Sequence, residues 1–149
     1  MTDKLKEKEE FRYAPIGVFD SGVGGLTVAR EIMRQIPKER IIYFGDTARV
    51  PYGSKSKETI IRFSRQIIRF LQSKGVKAIV IACNTASALA LETVQPEFDI
   101  PILGVVKAGA KEAAKVTKNG KIGVIATEST IESQLYTKEI HSHKPNAQV

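Results

Sequence analysis

The sequence has little cysteine and no long apolar run, and both shortages limit what the protein can be. A single cysteine in 149 residues excludes a disulfide framework within the chain. No apolar segment approaches the ~20 residues that span a bilayer, and the first fifteen residues lack the apolar core of a signal peptide. We therefore expect a cytoplasmic protein without a membrane partner.

Patterns typical of metal sites and of nucleic-acid sites are also missing. The only histidines, His141 and His143, stand far from the single cysteine in the sequence, so we predict no metal site. The net charge is +7, but the lysines and arginines are scattered, and no basic run is interleaved with aromatic residues. This distribution favours a solvated basic surface over a nucleic-acid partner.

What the sequence does contain is a repeated alternation of short apolar runs and helical patterns. Apolar runs predict buried strands over residues 16–19, 41–44, 78–82, 102–106 and 122–126. Apolar residues at helical spacing predict helices over residues 26–36, 60–71, 86–94, 110–116 and 131–140. Such βα repeats predict an α/β fold with three layers, in which helices cover both faces of a mainly parallel sheet.

Polar and reactive side chains follow the predicted strands, at the edge where α/β folds bind ligands. Cys83 follows the third strand and opens a helix, with Asn84 or Thr85 expected as its cap. The partial positive charge of a helix amino terminus favours a thiolate, which could act as a base or nucleophile. A buried, inert cysteine is the alternative. The other strand ends carry Asp20-Ser21, Asp46, Val106-Lys107 and Thr127.

Two turns beside these strand ends leave alternatives open. The glycine-rich turn from Ser21 to Gly25 could cradle a phosphate or could simply be a tight turn. It matches neither the dinucleotide fingerprint nor the Walker loop. Asp20 at its start suits an ammonium group better than a phosphate. The segment from Val50 to Gly53 is typical of a β-turn, in which Tyr52 could also close over a ligand.

Three segments, in this order and at this spacing, closely resemble the glutamate racemase family: GVFDSGVGGLT at 17–27, YFGDTARVPYG at 43–53 and ACNTAS at 82–87. The resemblance runs from about Ile16 to Tyr136 and implies a truncated form of a two-domain racemase architecture. On this interpretation, residues 15–98 are the amino-terminal portion of the first domain. Residues 99–149 begin a second domain and leave it incomplete, whereas residues 1–14 form a disordered or flexible arm.

The resemblance implies interconversion of L- and D-glutamate by two cysteines, with no cofactor and no metal. One thiolate removes the α-proton, and a thiol on the opposite face returns one. Cys83 aligns with the family's first catalytic cysteine, which works on the D isomer, and Asp20 could assist it. The positions that align with substrate-binding residues are Asp20, Ser21, Tyr52, Gly53, Asn84 and Thr85, followed by Thr127 and Thr130, which align with threonines that hold a carboxylate.

The resemblance also sets expectations for the whole protein. It implies a cytoplasmic isomerase that supplies D-glutamate for peptidoglycan, and hence for cell wall biogenesis and cell shape. Glutamate is the small-molecule partner, and a homodimer is an open expectation. The family's second Cys-Thr-His block lies further along than residue 149, so we expect a fragment with little racemisation of its own. The alternatives are an aspartate racemase, a non-catalytic paralogue that binds an acidic amino acid, and, least supported, a nucleotide-binding module built on the turn at 22–25.

Overall fold

Strands and helices alternate along the chain in the computed structural model, which describes residues 11–149. Residues 1–10 of the predicted arm lie outside the described residues, and residues 11–13 are helical. The strands are β1 (Ile16–Asp20), β2 (Ile41–Gly45), β3 (Ala78–Ile81) and β4 (Ile102–Gly104). The α-helices are α1 (Leu26–Gln35), α2 (Lys57–Ser73), α3 (Asn84–Leu89), α4 (Leu91–Val94), α5 (Val105–Val116), α6 (Glu128–Glu132) and α7 (Leu135–His143), with a 3₁₀ turn at Gln95–Glu97.

The four strands form one sheet in the order β2-β1-β3-β4, and every neighbouring pair is parallel. Asp20 pairs with Gly45, and Phe19 pairs with Ile81. Parallel strands in this register end at the same edge, so the residues that follow β1 and β3 are neighbours in space. The predicted parallel α/β fold is confirmed.

Helices cover both faces of this sheet because the side chains of each strand alternate between the faces. On one face, Phe19 and Ile81 pack in a large core with residues of α2, α3 and α4. On the other face, Val18 packs with Ala29 of α1 and with Ala82. A third apolar cluster joins α5 and α7 through Ala110, Ile140 and Ala147. The fold therefore has the three predicted layers.

The longest helix, α2, has clear start and stop signals. The Ser56 hydroxyl accepts a hydrogen bond from the Thr59 N–H group at 3.3 Å, which is a typical amino-terminal cap. After the helix, Gly75 has φ +72°, a left-handed conformation that favours glycine. Between these points, Ile60, Ile67 and Leu71 are fully buried against the sheet.

The predicted fifth strand is wrong. Residues 122–126 form no strand, and the adjacent Lys121 makes only an isolated bridge to Gln148. An apolar run becomes a strand only where a neighbouring strand can complete its hydrogen bonds. Among the described residues, β4 is the edge strand of the sheet, and its only strand neighbour is β3. Ile125, within the run, is fully exposed.

Three other predicted boundaries also change. The fourth strand ends at Gly104, so Val106 and Lys107 lie within α5 rather than at a strand end. The helix predicted over 131–140 is divided into α6 and α7 at Gln134, which has φ 55°. The helix predicted over 86–94 is divided into α3 and α4 at Ala90.

β4 pairs with β3, so residues 102–104 belong to the same sheet as the strands that precede residue 98. The division into two domains at residue 98 stays a prediction.

Within residues 11–149, no helix has both the length and the apolar character needed to cross a membrane.

Candidate active site

A cleft of about 640 Å³ opens at the carboxyl edge of β1 and β3. The parallel register explains its position, since the two strands end side by side and each continues directly into a polar segment. The cleft is lined by six of the side chains that the sequence singled out: Asp20, Ser21, Cys83, Asn84, Thr85 and Thr127.

The glycine-rich turn after β1 wraps around the Asp20 carboxylate. Asp20 is buried, and its Oδ2 atom accepts hydrogen bonds from the N–H groups of Gly22 at 3.0 Å and Gly25 at 3.1 Å. These are two of the N–H groups that a phosphate would need, so the turn is poorly suited to nucleotide binding. A buried carboxylate at this edge instead favours a cationic group, such as an ammonium.

Tyr43 of β2 ties the same turn to the sheet. Its hydroxyl donates a hydrogen bond to the Gly22 carbonyl at 3.0 Å. Burial raises the pKa of Tyr43 to about 12, and the proximity of Asp20 and Cys83 adds to this effect. The hydroxyl therefore stays protonated and remains a donor at neutral pH.

Cys83 occupies the amino-terminal cap of α3, the position that the sequence assigned to Asn84 or Thr85. Its backbone is extended, with φ −77° and ψ 122°, and its Sγ accepts the Ala86 N–H at 3.4 Å. The other neighbour of the sulfur is the Ser21 hydroxyl, at 3.6 Å, towards which the thiol donates. The sulfur is thus held between a helix amino terminus and a hydroxyl, and both can stabilise a thiolate.

Three threonine hydroxyls form a closed cluster beside Cys83. Oγ1 of Thr127 lies 2.9 Å from that of Thr85 and 2.8 Å from that of Thr130, and Thr130 donates to Thr85 at 3.3 Å. Thr85 and Thr130 are buried, whereas Thr127 is exposed and lines the cleft. Thr85 and Thr127 both line the cleft, and the buried Thr130 hydroxyl lies within hydrogen-bonding distance of both.

Tyr52 and Gly53 lie behind the cleft rather than in its lining. The Tyr52 side chain is buried, packs on Phe63 and donates its hydroxyl to Asp46. Burial and this bond to Asp46 raise its pKa. Gly53 touches the cluster so closely that an added Cβ would lie 2.8 Å from the Thr127 Cβ. Gly53 therefore packs directly against Thr127, whereas Tyr52 is held by Asp46 and Phe63.

Tyr136 also lines the cleft, and the sequence did not single it out. Its hydroxyl donates a hydrogen bond to Oδ1 of Asn84 at 2.7 Å. The two residues are 52 positions apart, so only the packing of α7 brings them together. A tyrosine in an amphipathic helix carries no local signal of such a contact.

Sequence and structure comparisons both relate this chain to known racemases. The sequence model of the Asp/Glu/hydantoin racemase family matches residues 16–149. The chain belongs to this racemase family. A glutamate racemase from Geobacter metallireducens is 55% identical over 134 residues, which are 90% of this chain and 50% of the relative.

Solved structures of glutamate racemases superpose well on this chain. One isoform from Bacillus anthracis has a TM-score of 0.88 at 50% identity, covering 92% of this chain and 52% of the other. The Francisella tularensis enzyme, solved in complex with D-glutamate, has a TM-score of 0.82 at 48% identity, covering 92% and 51%. The chain thus spans about half the length of the relatives that it matches.

The polar groups of the cleft are of kinds that take part in acid–base chemistry. Among residues 11–149, no group of three or more His, Cys, Asp and Glu side chains is placed to hold a metal ion. The cleft instead combines one thiol, one buried carboxylate and several neutral donors. Such a set can abstract a proton, bind an ammonium and hold carboxylates.

Proposed function

We propose that the protein is a glutamate racemase and that Cys83 is the base acting on D-glutamate. The observation that carries the proposal is the position of Cys83, at the start of α3 in the cleft, beside the turn that holds Asp20. The curated relatives named glutamate racemase, at 53–59% identity over this part of their length, support the same function.

The proposed chemistry begins with a weak carbon acid. The Cys83 thiolate takes the α-proton of D-glutamate and becomes a thiol, while the bonding electron pair stays on Cα and spreads into the adjacent carboxylate. Preorganised hydrogen bonds must stabilise this growing negative charge. We assign the ammonium group to Asp20 and the carboxylates to Asn84, Thr85 and Thr127.

The reverse transfer decides which isomer forms. Return of the proton from Cys83 regenerates D-glutamate, and protonation from the opposite face gives L-glutamate. The 149 residues carry one thiol. On this mechanism they exchange the α-proton of the D isomer with solvent but do not racemise it efficiently.

The wider role follows from the product. D-glutamate would enter peptidoglycan, so we place the protein in the cytoplasm and in the synthesis of the cell wall that determines cell shape. We also propose that residues 15–98 belong to one racemase domain and residues 99–149 to the start of another, with β4 at the transition.

Proton NMR in deuterium oxide tests this proposal on the 149-residue chain with D-glutamate, L-glutamate and D-aspartate. We expect the Cα proton signal of D-glutamate to disappear with retention of configuration, and that of L-glutamate to persist. Slower loss from D-aspartate supports a glutamate enzyme, whereas faster loss indicates an aspartate racemase. Binding of D-glutamate without any exchange, by a chain whose spectrum shows folded dispersion, would support the non-catalytic paralogue and reject the proposal.

A further inference from the structure

Asn84 lies next to Cys83 and offers a side-chain amide to the cleft. An amide has an acceptor end, Oδ1, and a donor end, Nδ2, and rotation by half a turn exchanges them. Which end faces a ligand decides whether the residue attracts or repels a carboxylate. The orientation of this amide therefore matters for binding an acidic substrate.

In the structure, the Tyr136 hydroxyl donates to Oδ1 of Asn84 at 2.7 Å, so this end of the amide faces the tyrosine. Because the amide group is planar, fixing Oδ1 also fixes Nδ2, whose N–H groups can then donate to a ligand in the cleft. Burial raises the pKa of Tyr136, so the hydroxyl remains a donor throughout the range in which a thiol titrates.

The tyrosine ring is itself held in place. Tyr136 packs against the cluster that joins α5 and α7, and its hydroxyl lies where a side chain on α5 would interfere. A Cβ added to Gly109 would be 3.3 Å from that oxygen and 3.5 Å from Cε1 of the ring. The glycine thus leaves the space in which the hydroxyl reaches Asn84.

We propose that Tyr136 is a positioning residue that orients the Asn84 amide, so that its N–H donors face a carboxylate of the substrate. This inference rests on the proposed function, because it assumes that the substrate is an acidic amino acid. It adds that Asn84 contacts an anionic group of the substrate rather than its ammonium group, and that Tyr136 determines this preference without touching the reacting atoms.

The first test needs no ligand. In ¹⁵N-labelled protein, we expect Tyr136→Phe to shift the side-chain amide signals of Asn84, which an Asn84→Ala spectrum identifies. Tyr13→Phe is the matched control, since Tyr13 is 67% exposed, and it should leave these signals in place. Unchanged Asn84 signals in Tyr136→Phe would overturn the proposal.

The second test is a double-mutant cycle on D-glutamate, with the exchange assay as its readout. Loss of one hydrogen bond corresponds to a rise of about three- to tenfold in KM, and we expect this rise in Tyr136→Phe with kcat nearly unchanged. If Tyr136 acts through Asn84, adding Tyr136→Phe to Asn84→Ala should raise KM no further. Equal multiplicative effects in both backgrounds would overturn the proposal.

The outcomes separate this inference from the proposed function. A wild-type chain that neither binds nor exchanges D-glutamate contradicts the proposed function, and with it the substrate role of Asn84. A wild-type chain that exchanges D-glutamate, together with an unchanged KM in Tyr136→Phe, contradicts only the role of Tyr136.

Discussion

Replacing Gly25 with alanine should destabilise the fold, because the glycine lies where two elements meet without room for a side chain. The added Cβ would be 2.6 Å from the Asp20 Cβ and 2.8 Å from the Ala82 Cβ. Carbon atoms in good contact are about 3.5–4.0 Å apart. Both neighbours are attached directly to the backbone, so neither can rotate away.

The size of the effect follows from two opposing contributions. Overpacking of this kind costs about 1–3 kcal/mol. Gly25 has right-handed backbone angles, φ −65° and ψ −10°, so alanine would otherwise stabilise by about 0.4–1 kcal/mol. We expect a net loss of about 1–2 kcal/mol, which lowers Tm by about 2–8 °C in a chain of this size.

Gly22→Ala is the matched control within the same turn. Its added Cβ would meet only Val50 Cγ1, at 3.6 Å, which is ordinary contact. We expect its free energy of unfolding to stay within about 0.5 kcal/mol of the wild type. Urea unfolding of the three proteins measures both effects, and equal midpoints for Gly25→Ala and Gly22→Ala would refute the packing argument.

Two further predictions concern side-chain hydroxyl groups. The folded-state pKa of Tyr43, about 12, exceeds its ordinary value of 10.0, so the associated stability is present below pH 10 and is lost as pH rises towards 12. Urea midpoints measured across that range should fall more steeply for wild type than for Tyr43→Phe, and parallel curves would disprove this. Ser64 is fully buried, and its Oγ has no hydrogen-bond partner among residues 11–149. Ser64→Ala should therefore raise the free energy of unfolding by about 1 kcal/mol, and a lower urea midpoint would show that the hydroxyl has a partner.

The sequence predicted the first four strands because each is an apolar run bounded by turns, and burial on both faces of a parallel sheet requires that pattern. The run at 122–126 has the same composition and is not a strand. Apolar composition indicates burial, but it does not specify a hydrogen-bonding partner, and only the sheet order shows that β4 has no fifth strand beside it among the described residues.

The sequence could predict those site residues that directly follow a strand. Asp20 and Cys83 are adjacent to β1 and β3, whose pairing brings them to one cleft. Tyr52 is different, since its orientation depends on Asp46 and on packing against Phe63. The contact of Tyr136 with Asn84 depends on how α7 packs on α5, which no local pattern encodes.

The claim that Cys83 is the base for D-glutamate is tested most directly by comparing wild type with Cys83→Ala in deuterium oxide. The account predicts that the wild-type chain removes the Cα proton signal of D-glutamate while the isomer is retained. Cys83→Ala, checked for an unchanged fold by its dispersed NMR spectrum, should leave the signal intact. Exchange by Cys83→Ala at the wild-type rate would contradict the account, because another group would then be the base.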